Sequence, residues 1–317
     1  MVNKVLRIGT RESDLAIWQA STVKELFAQK GLPSELIYIK SEGDIDLKTP
    51  LYEIGVQGIF TRSLDIALLN NRIDVAVHSM KDVPTQLPKG IVQSAVLERA
   101  NFKDLFVFKD ETVVNNWRLT DNSINFPLSV AGTIATSSIR RKAQWLHRYP
   151  KHTVENLRGN VNTRLAKVAG SSWDGAIFAA AGLERINLRP ETSVELDWML
   201  PAPAQGAIVV VCRADDTFSF EACQHFNHLP TELCTKVEKD FLRTLMGGCS
   251  TPISALAQIE EGSVVFKGNI FSVDGTERVD IEKMVNITEA ASLGEVAARE
   301  LLAKGGKSIA ESIHHER

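Results

Sequence analysis

Short apolar runs alternate with amphipathic stretches through the first two thirds of the chain. Residues 5–8 have the pattern of a strand, 13–29 of an amphipathic helix with Leu15, Trp18, Thr22 and Leu26 on one side, and 36–39 of a second strand. Gly31 and Pro33 end the helix between them. Residues 61–70 read as a helix, Asn70-Asn71 as a turn, and 73–77 as a strand running out at His78-Ser79-Met80-Lys81-Asp82, where Pro84 and Pro88 prevent regular continuation. A second set begins near residue 102. It has strands at 128–131, 153–157 and 174–179, with helices at 137–147 (Ile139, Ala143 and Leu146 at helical spacing) and 161–169. Residues 207–212 are a further apolar stretch of strand length. This alternation predicts a largely parallel sheet with ligands at the carboxyl ends of its strands.

Beyond about residue 225 the pattern changes to a helix at 235–245, a Gly247-Gly248-Cys249 turn, and a segment that could be helix or strand. A hairpin then pairs 263–272 with 277–284 about Asp274-Gly275, and a last helix spans 293–302, predicting a small α+β domain. A chain of 317 residues accommodates such a plan, at ~100 to 200 residues per domain.

Composition narrows the chemistry. A net charge of −3 excludes a globally basic nucleic-acid binder, so any positive site must be concentrated. The N-terminus lacks the apolar segment of a signal peptide, and no run approaches the ~18 apolar residues of a membrane span; both point to the cytoplasm. Cys212, Cys223, Cys234 and Cys249 form no CxxC and no disulfide framework, so no metal site is expected and the first three read as buried thiols.

The arginines carry the strongest signal. Arg11 follows the first predicted strand, Arg140-Arg141 sits in the first turn of a helix opened by Thr136-Ser137-Ser138, and Arg158 precedes Gly159-Asn160 before another helix, with Arg164 further along it. A cation at a helix N-terminus opposes the macrodipole by ~0.3 to 1 kcal/mol, so its repetition at equivalent positions calls for an anionic partner. Phosphate, carboxylate and nucleic acid are all candidates. No Walker A or GxGxxG motif is present and no aromatics interleave with these arginines, which favours carboxylates. Asp82, beside Lys81 and before Pro84, is a candidate acid, or else an Asp bonded to backbone in a turn.

The segments Gly9-Thr10-Arg11-Glu12-Ser13, Val77 to Thr85, Thr136 to Arg141, Leu157 to Arg164, Ala180 to Arg185, Leu200 to Ala207 and Gly247 to Ile253 together closely resemble the hydroxymethylbilane synthase (porphobilinogen deaminase) family, in order, over nearly the whole chain. The resemblance implies an α/β protein of three domains. The first two, 1–100 with 207–226 and 101–206, would resemble a two-lobed periplasmic binding protein, and the third, 227–317, would be small and α+β. It implies a dipyrromethane cofactor joined through a thioether to Cys249. On this primer four porphobilinogen molecules are condensed head to tail with release of ammonia, and hydroxymethylbilane is then freed by hydrolysis.

It also implies roles for individual residues. Asp82 is the catalytic carboxylate. Ser79, Lys81, Asp82, Thr136, Ser138, Arg140, Arg141, Arg158, Gly159 and Arg164 surround the cofactor, while Arg11, Ser13, Gln19, Phe60, Arg158, Arg164, Arg185 and Gln205 meet substrate. Each pyrrole carries an acetate and a propionate, which suits bidentate guanidinium better than ammonium. The expected partner is porphobilinogen, with no nucleic acid or membrane, and the expected state a monomer. Departures are Glu53 and Gln57, where the family commonly has lysines in a loop, and Ala135 and Ala204 in place of glycines. Two rivals share the fold: a non-catalytic carboxylate-binding protein, against which the Cys249 motif stands, and a transcriptional effector domain, for which no DNA-binding element is visible.

Overall fold

The computed structural model describes residues 4–40, 61–109, 118–120, 123–125, 131–245 and 251–315. Glu53, Gln57, Phe60 and the Gly247-Gly248-Cys249 turn lie outside them. In chain order the strands of the first two units are β1 (Leu6–Thr10), β2 (Ser34–Tyr38), β3 (Val75–Ser79), β4 (Ile91–Val96), β5 (Asp104–Phe108), β6 (Arg118–Thr120), β7 (Ser123–Asn125), β8 (Thr133–Ala135), β9 (Thr153–Glu155), β10 (Gly175–Ala179), β11 (Ser193–Glu195) and β12 (Ile208–Arg213). They form two five-stranded sheets, ordered β2-β1-β3-β12-β4 and β11-β5-β10-β8-β9, and the short β6-β7 hairpin.

These sheets are mixed rather than largely parallel. β1 runs parallel to β2 and β3, and β8 to β9 and β10, but β12 is antiparallel to β3 and β4, and β5 to β10 and β11. The chain leaves the first sheet after β4, builds the second from β5 to β11, and returns as β12. Each crossover strand therefore begins where its antiparallel neighbour ends: Asp104 faces Ala179, and Ile208 faces Ser79.

The helices flanking these sheets are α1 (Asp14–Gln29), α2 (Arg62–Leu69), α3 (Ile139–Arg148), α4 (Val161–Gly170), α5 (Ala180–Glu184) and α6 (Thr217–Gln224). In the first lobe, Ala20, Val23 and Phe27 of α1 pack with Leu6, Ile8, Val75, Val77 and Val210 on one sheet face, and Leu64, Ala67 and Leu68 of α2 with Ala76, Val209 and Val211 on the other. Helix α1 thus turns Ala20-Val23-Phe27 to the core and leaves Trp18 38% exposed, a different stripe from the one its apolar spacing predicts first. In the second lobe the fully buried Trp145 of α3 stacks on Phe106 at 5.3 Å, while Leu157, Val168 and Leu183 cover the opposite face with Val107 and Phe178.

The third unit packs α7 (Leu229–Thr244), α8 (Leu293–Leu301) and α9 (Lys307–His315) on a sheet of β13 (Ile253–Glu260), β14 (Ser263–Phe271) and β15 (Arg278–Asn286), around Phe241, Phe266, Ala297 and Leu301. The open choice after Cys249 resolves to strand. Its hairpin turn lies against the second lobe: His147 Nδ1 is 2.8 Å from Gly275 O, and a Cβ at Gly275 (φ +79°) would meet Ala143 O at 2.4 Å. Glu238 of α7, wholly buried, accepts from Arg99 Nη1 (2.6 Å) and Nη2 (3.1 Å), Ala204 N (2.6 Å) and Ala257 N (2.7 Å). It ties both crossover connections to the third unit.

Several elements depart from expectation. Of the strand expected at 128–131, residues 128–130 lie outside the described residues; the strand described after them is β8, where Ile134 and Ala135 are the buried pair. Helix α7 starts six residues before the predicted 235, because His228 caps it and Pro230 fits its first turn. β4, β5, β6, β7, β11, α5, α6 and α9 have no counterpart among the predicted elements; β4 follows the turn containing Pro84 and Pro88.

One buried acid works against the fold. Burial, only partly opposed by the Thr61 hydrogen bond, pushes the Asp65 carboxyl up to about 6. The folded state then binds more protons than the unfolded chain between about pH 4 and pH 6, so this group's contribution falls as pH rises through that window and is a full cost at pH 7. Asp65→Asn is expected to raise Tm at pH 7, with the gain shrinking toward pH 4; thermal melts across that range check it.

Candidate active site

The carboxyl ends of the parallel strands converge between the two lobes. β1 delivers Arg11 and then Ser13, whose hydroxyl caps α1 by accepting from Ala16 N at 3.4 Å. β3 runs into a single 3-10 turn, Met80–Asp82, which presents Lys81 and Asp82. Gln19, buried in α1, donates to Ser79 Oγ at 2.9 Å and fixes the start of that turn. Burial, reinforced by the charge of Arg11, pushes the His78 imidazole down to about 3, so it is neutral at pH 7 and belongs to the scaffold.

The second lobe supplies the opposite wall. Ser138 caps α3, accepting from Arg141 N at 3.5 Å, and Thr136 Oγ1 accepts from Ser138 N at 3.2 Å. Asn160 caps α4, so the loop before it must turn sharply at Gly159 (φ +116°), where a Cβ would meet the Thr163 side chain at 2.8 Å. That turn sets Arg158, buried, and Arg164, whose Nε donates to Gly159 O at 2.7 Å, on one side of the cleft.

The residue that sequence reasoning missed is Asp104. Fully buried at the start of β5, it accepts from Arg140 Nη2 (2.7 Å), Arg141 Nη2 (2.7 Å) and Nε (3.1 Å), and Gln205 Nε2 (2.9 Å). Burial by itself raises such a carboxyl; the two guanidinium charges overcome it and hold Asp104 well below the usual carboxylate range. Arg140 also donates to Leu200 O at 2.8 Å and Arg141 to Ile177 O at 3.0 Å. Both arginines are therefore positioned by protein, and Arg140 Nε is buried with no hydrogen-bond partner among the described residues. A charged residue opening an otherwise apolar strand, Asp-Leu-Phe-Val-Phe, was the available signal.

Charge couples the two walls. Burial pushes the Lys81 ammonium down to about 8, with Asp82 pulling it up and Arg141, across the cleft, pushing it further down. Burial likewise lowers Arg164 to about 10, helped by Arg141 and Arg158 and opposed by Asp82 of the other lobe. Asp82 thus stands among cations of both lobes, where the positive charges outnumber the carboxylates and an anionic ligand would relieve their mutual repulsion. Arg185, at the end of α5, donates from Nη2 to Gly206 O at 2.7 Å.

The structure gathers Arg11, Ser13, Gln19, Ser79, Lys81 and Asp82 on the first lobe, and Thr136, Ser138, Arg140, Arg141, Arg158, Gly159, Arg164 and Arg185 on the second. Gln205 sits in the returning crossover, its amide donating to Phe102 O (2.7 Å) and to Asp104 Oδ1 (2.9 Å). Of the two alanines in place of glycines, Ala135 is ordinary strand, whereas Ala204 adopts φ +62°, a conformation that costs a non-glycine residue ~1 to 2 kcal/mol. The Ala204 N–H bond to Glu238 holds it there.

Among the described residues no helix is long and apolar enough to cross a membrane, and no group of three or more His, Cys, Asp or Glu side chains could hold a metal. Among solved structures, the chain is similar to the periplasmic VFT2 domain of Bordetella pertussis BvgS, at 14% identity over 70% of this chain and 86% of that one, with a TM-score of 0.41. A nutrient binding protein from Burkholderia cenocepacia bound to methionine matches at 15% identity over 70% of this chain and 91% of that one, TM-score 0.41. YhfZ from Shigella flexneri matches at 16% identity over 77% and 97%, TM-score 0.36. Two family models match the sequence itself: porphobilinogen deaminase, dipyromethane cofactor binding domain, over residues 6–221, and porphobilinogen deaminase, C-terminal domain, over residues 232–303. With its two lobes, its small third unit and these matches along most of its length, the chain belongs to the porphobilinogen deaminase family, the transferases that provide hydroxymethylbilane for tetrapyrrole biosynthesis.

Proposed function

We propose that the cleft between the lobes binds the carboxylates of a dipyrromethane held on Cys249 and of incoming porphobilinogen, with Asp82 as the catalytic carboxylate. The observation that carries this reading is the placement of Asp82 at a strand end, within the fields of Lys81 of its own lobe and Arg164 of the other. The cation-rich walls fit the group: Lys81, Arg140, Arg141, Arg158 and Arg164, with the hydroxyls of Thr136 and Ser138, would hold its acetates and propionates through charge-assisted hydrogen bonds. When bound, the dipyrromethane supplies the pyrrole carbon to which the first substrate is added.

The protein's own part is electrostatic and positional. As ammonia leaves porphobilinogen, positive charge develops on the pyrrole; the Asp82 carboxylate stabilises it and can accept or return a proton at Oδ. Arg11, Arg158, Arg164 and Arg185 orient the substrate by its carboxylates, and Ser13 and Gln19 support the wall that carries Arg11 and Ser79. Phe60 and Cys249, outside the described residues, enter from the family motifs: Phe60 against substrate and Cys249 as the thioether sulfur. The Glu238 anchor supports domains of 1–100 with 207–226, 101–206 and 227–317, since it joins the crossover connections to α7. A monomer working in the cytoplasm, without nucleic acid, completes the reading.

Cys249 offers the direct test. Intact-mass measurement of the purified full chain, followed by peptide mapping, is expected to find a dipyrrole on Cys249 and turnover of porphobilinogen. Cys249→Ser is expected to carry no adduct and to lose activity. A full-length Cys249→Ser chain that still holds a covalent dipyrrole would refute the attachment, and an unmodified wild-type chain that binds porphobilinogen without consuming it would make this a carboxylate-binding protein.

A further inference from the structure

Helix α1 carries two apolar stripes, and only one faces its own core. Ala20, Val23 and Phe27 pack into the first lobe, while Leu15 and Trp18 point with Asp14 toward the second. Along this seam Asn162 of α4 donates to Asp14 Oδ2 at 2.7 Å, and a Cβ at Gly182 of α5 would meet Leu15 Cδ2 at 3.8 Å. At its inner end the guanidinium of Arg185 lies over the Trp18 ring, 5.7 Å from the ring centre. A large aromatic left 38% exposed on a helix that already has a full core face is not there to fill that core.

Three separate parts of the chain hold Arg185. Its guanidinium lies over the ring of Trp18 of the first lobe, its Nη2 donates to Gly206 O in the returning crossover at 2.7 Å, and its backbone caps the C-terminus of α5 of the second lobe. Its Nε is buried and has no hydrogen-bond partner among the described residues. A carboxylate takes a guanidinium in pairs of N–H groups, and Nη2 has a second N–H beyond the one spent on Gly206, so Nε and Nη2 together remain for a bidentate ligand. The indole face fixes the plane of the guanidinium by cation–π attraction without using any of its donors.

We propose that Trp18 is a positioning residue for substrate capture: from the first lobe it sets the plane of Arg185 on the second, so that this carboxylate subsite for porphobilinogen is complete only when the lobes are closed. Opening the seam would remove the indole from beneath the guanidinium and free Arg185 to swing about its remaining tie to Gly206. This role rests on the functional reading above.

The test is steady-state kinetics of the holoenzymes of wild type, Trp18→Leu and Trp18→Phe, each first checked by intact mass for a complete cofactor and by thermal melting for folding. Trp18→Leu keeps an apolar side chain on the seam but has no ring; KM for porphobilinogen is expected to rise about 3- to 20-fold with kcat within about twofold of wild type. Trp18→Phe, which restores a π face, is expected to recover most of that loss. An unchanged KM in Trp18→Leu, a fall in kcat at constant KM, or a Phe variant no better than the Leu one would each overturn the role of Trp18. If wild-type holoenzyme does not consume porphobilinogen at all, the functional reading itself fails, an outcome distinct from any of these.

Discussion

Asp82→Asn is expected to lower turnover of porphobilinogen by about 100- to 10,000-fold, the range for loss of a positioned acid–base group, while the chain still folds and acquires its cofactor. The amide preserves the shape of the carboxyl on its 3-10 turn, so the backbone of Met80–Asp82 and the packing beneath it need not change. What disappears is the negative charge set among Lys81, Arg164 and their neighbours, together with the oxygen that can take a proton. Loss should fall on kcat, because the carboxylate-binding cations remain and become, if anything, more strongly anion-seeking. Turnover within threefold of wild type would remove Asp82 from the chemistry; intact mass of the same sample shows whether cofactor loading was kept.

Asp104→Asn is expected to destabilise the fold by about 3–5 kcal/mol, the penalty for taking one member from a buried charge cluster. Asn keeps only one acceptor oxygen and no charge, so Arg140 and Arg141 would lie together within the second lobe with no buried counter-charge. The loss should be largest in the Cys249→Ser background, where no bound carboxylates offset the two guanidinium groups. Its pH dependence follows from the depressed carboxyl: the wild-type advantage is present above the unfolded value near pH 4 and is lost as pH falls toward the folded one. Chemical denaturation of both chains, with Asp280→Asn as the comparison, measures it. Asp280 and its partner Arg278 are 48% and 44% exposed, so that pair should contribute under about 1 kcal/mol. A loss at Asp104 no larger than at Asp280 would show that the cluster is not what holds the arginines in place.

The two experiments address different layers of one arrangement. Asp82 is a half-buried charge on the turn after β3; Asp104, at the start of β5, is fully buried and holds Arg140 and Arg141. A ligand bearing several carboxylates needs both, since arginines without a buried counter-charge would repel one another before it arrived. Gln205 and Glu238 extend the layer of orientation to the crossovers and the third unit.

Much of the site was legible from local pattern, because its cations break local rules. Arg11, Arg140, Arg141 and Arg158 stand at strand ends and helix starts, where a positive charge opposes the helix dipole, and the caps Ser13, Ser138 and Asn160 mark those starts. The motif Lys81-Asp82 before Pro84 identified the turn that carries the candidate acid, and the family motifs identified the chemistry. Asp104 escaped because none of its partners is near it in sequence, and the closer cations Arg99 and Lys103 pair elsewhere. Its partners lie 36, 37 and 101 positions away, and only the antiparallel return of β5 beside β10 brings it to the strand ends where they are.

Helix α1 shows the same division. Its periodicity established an amphipathic helix with Leu15, Trp18, Thr22 and Leu26 on one side, but local pattern does not say which side the sheet will cover. Packing decided it: Ala20, Val23 and Phe27 fit the first sheet, and Leu15 and Trp18 were left for the other lobe. Elements, caps and the choice of anion-binding residues are properties of neighbouring positions and could be read from the chain. Which carboxylate neutralises which arginine, which way the crossover strands run, and what Trp18 touches depend on residues brought together from far apart, and only the tertiary structure decides them.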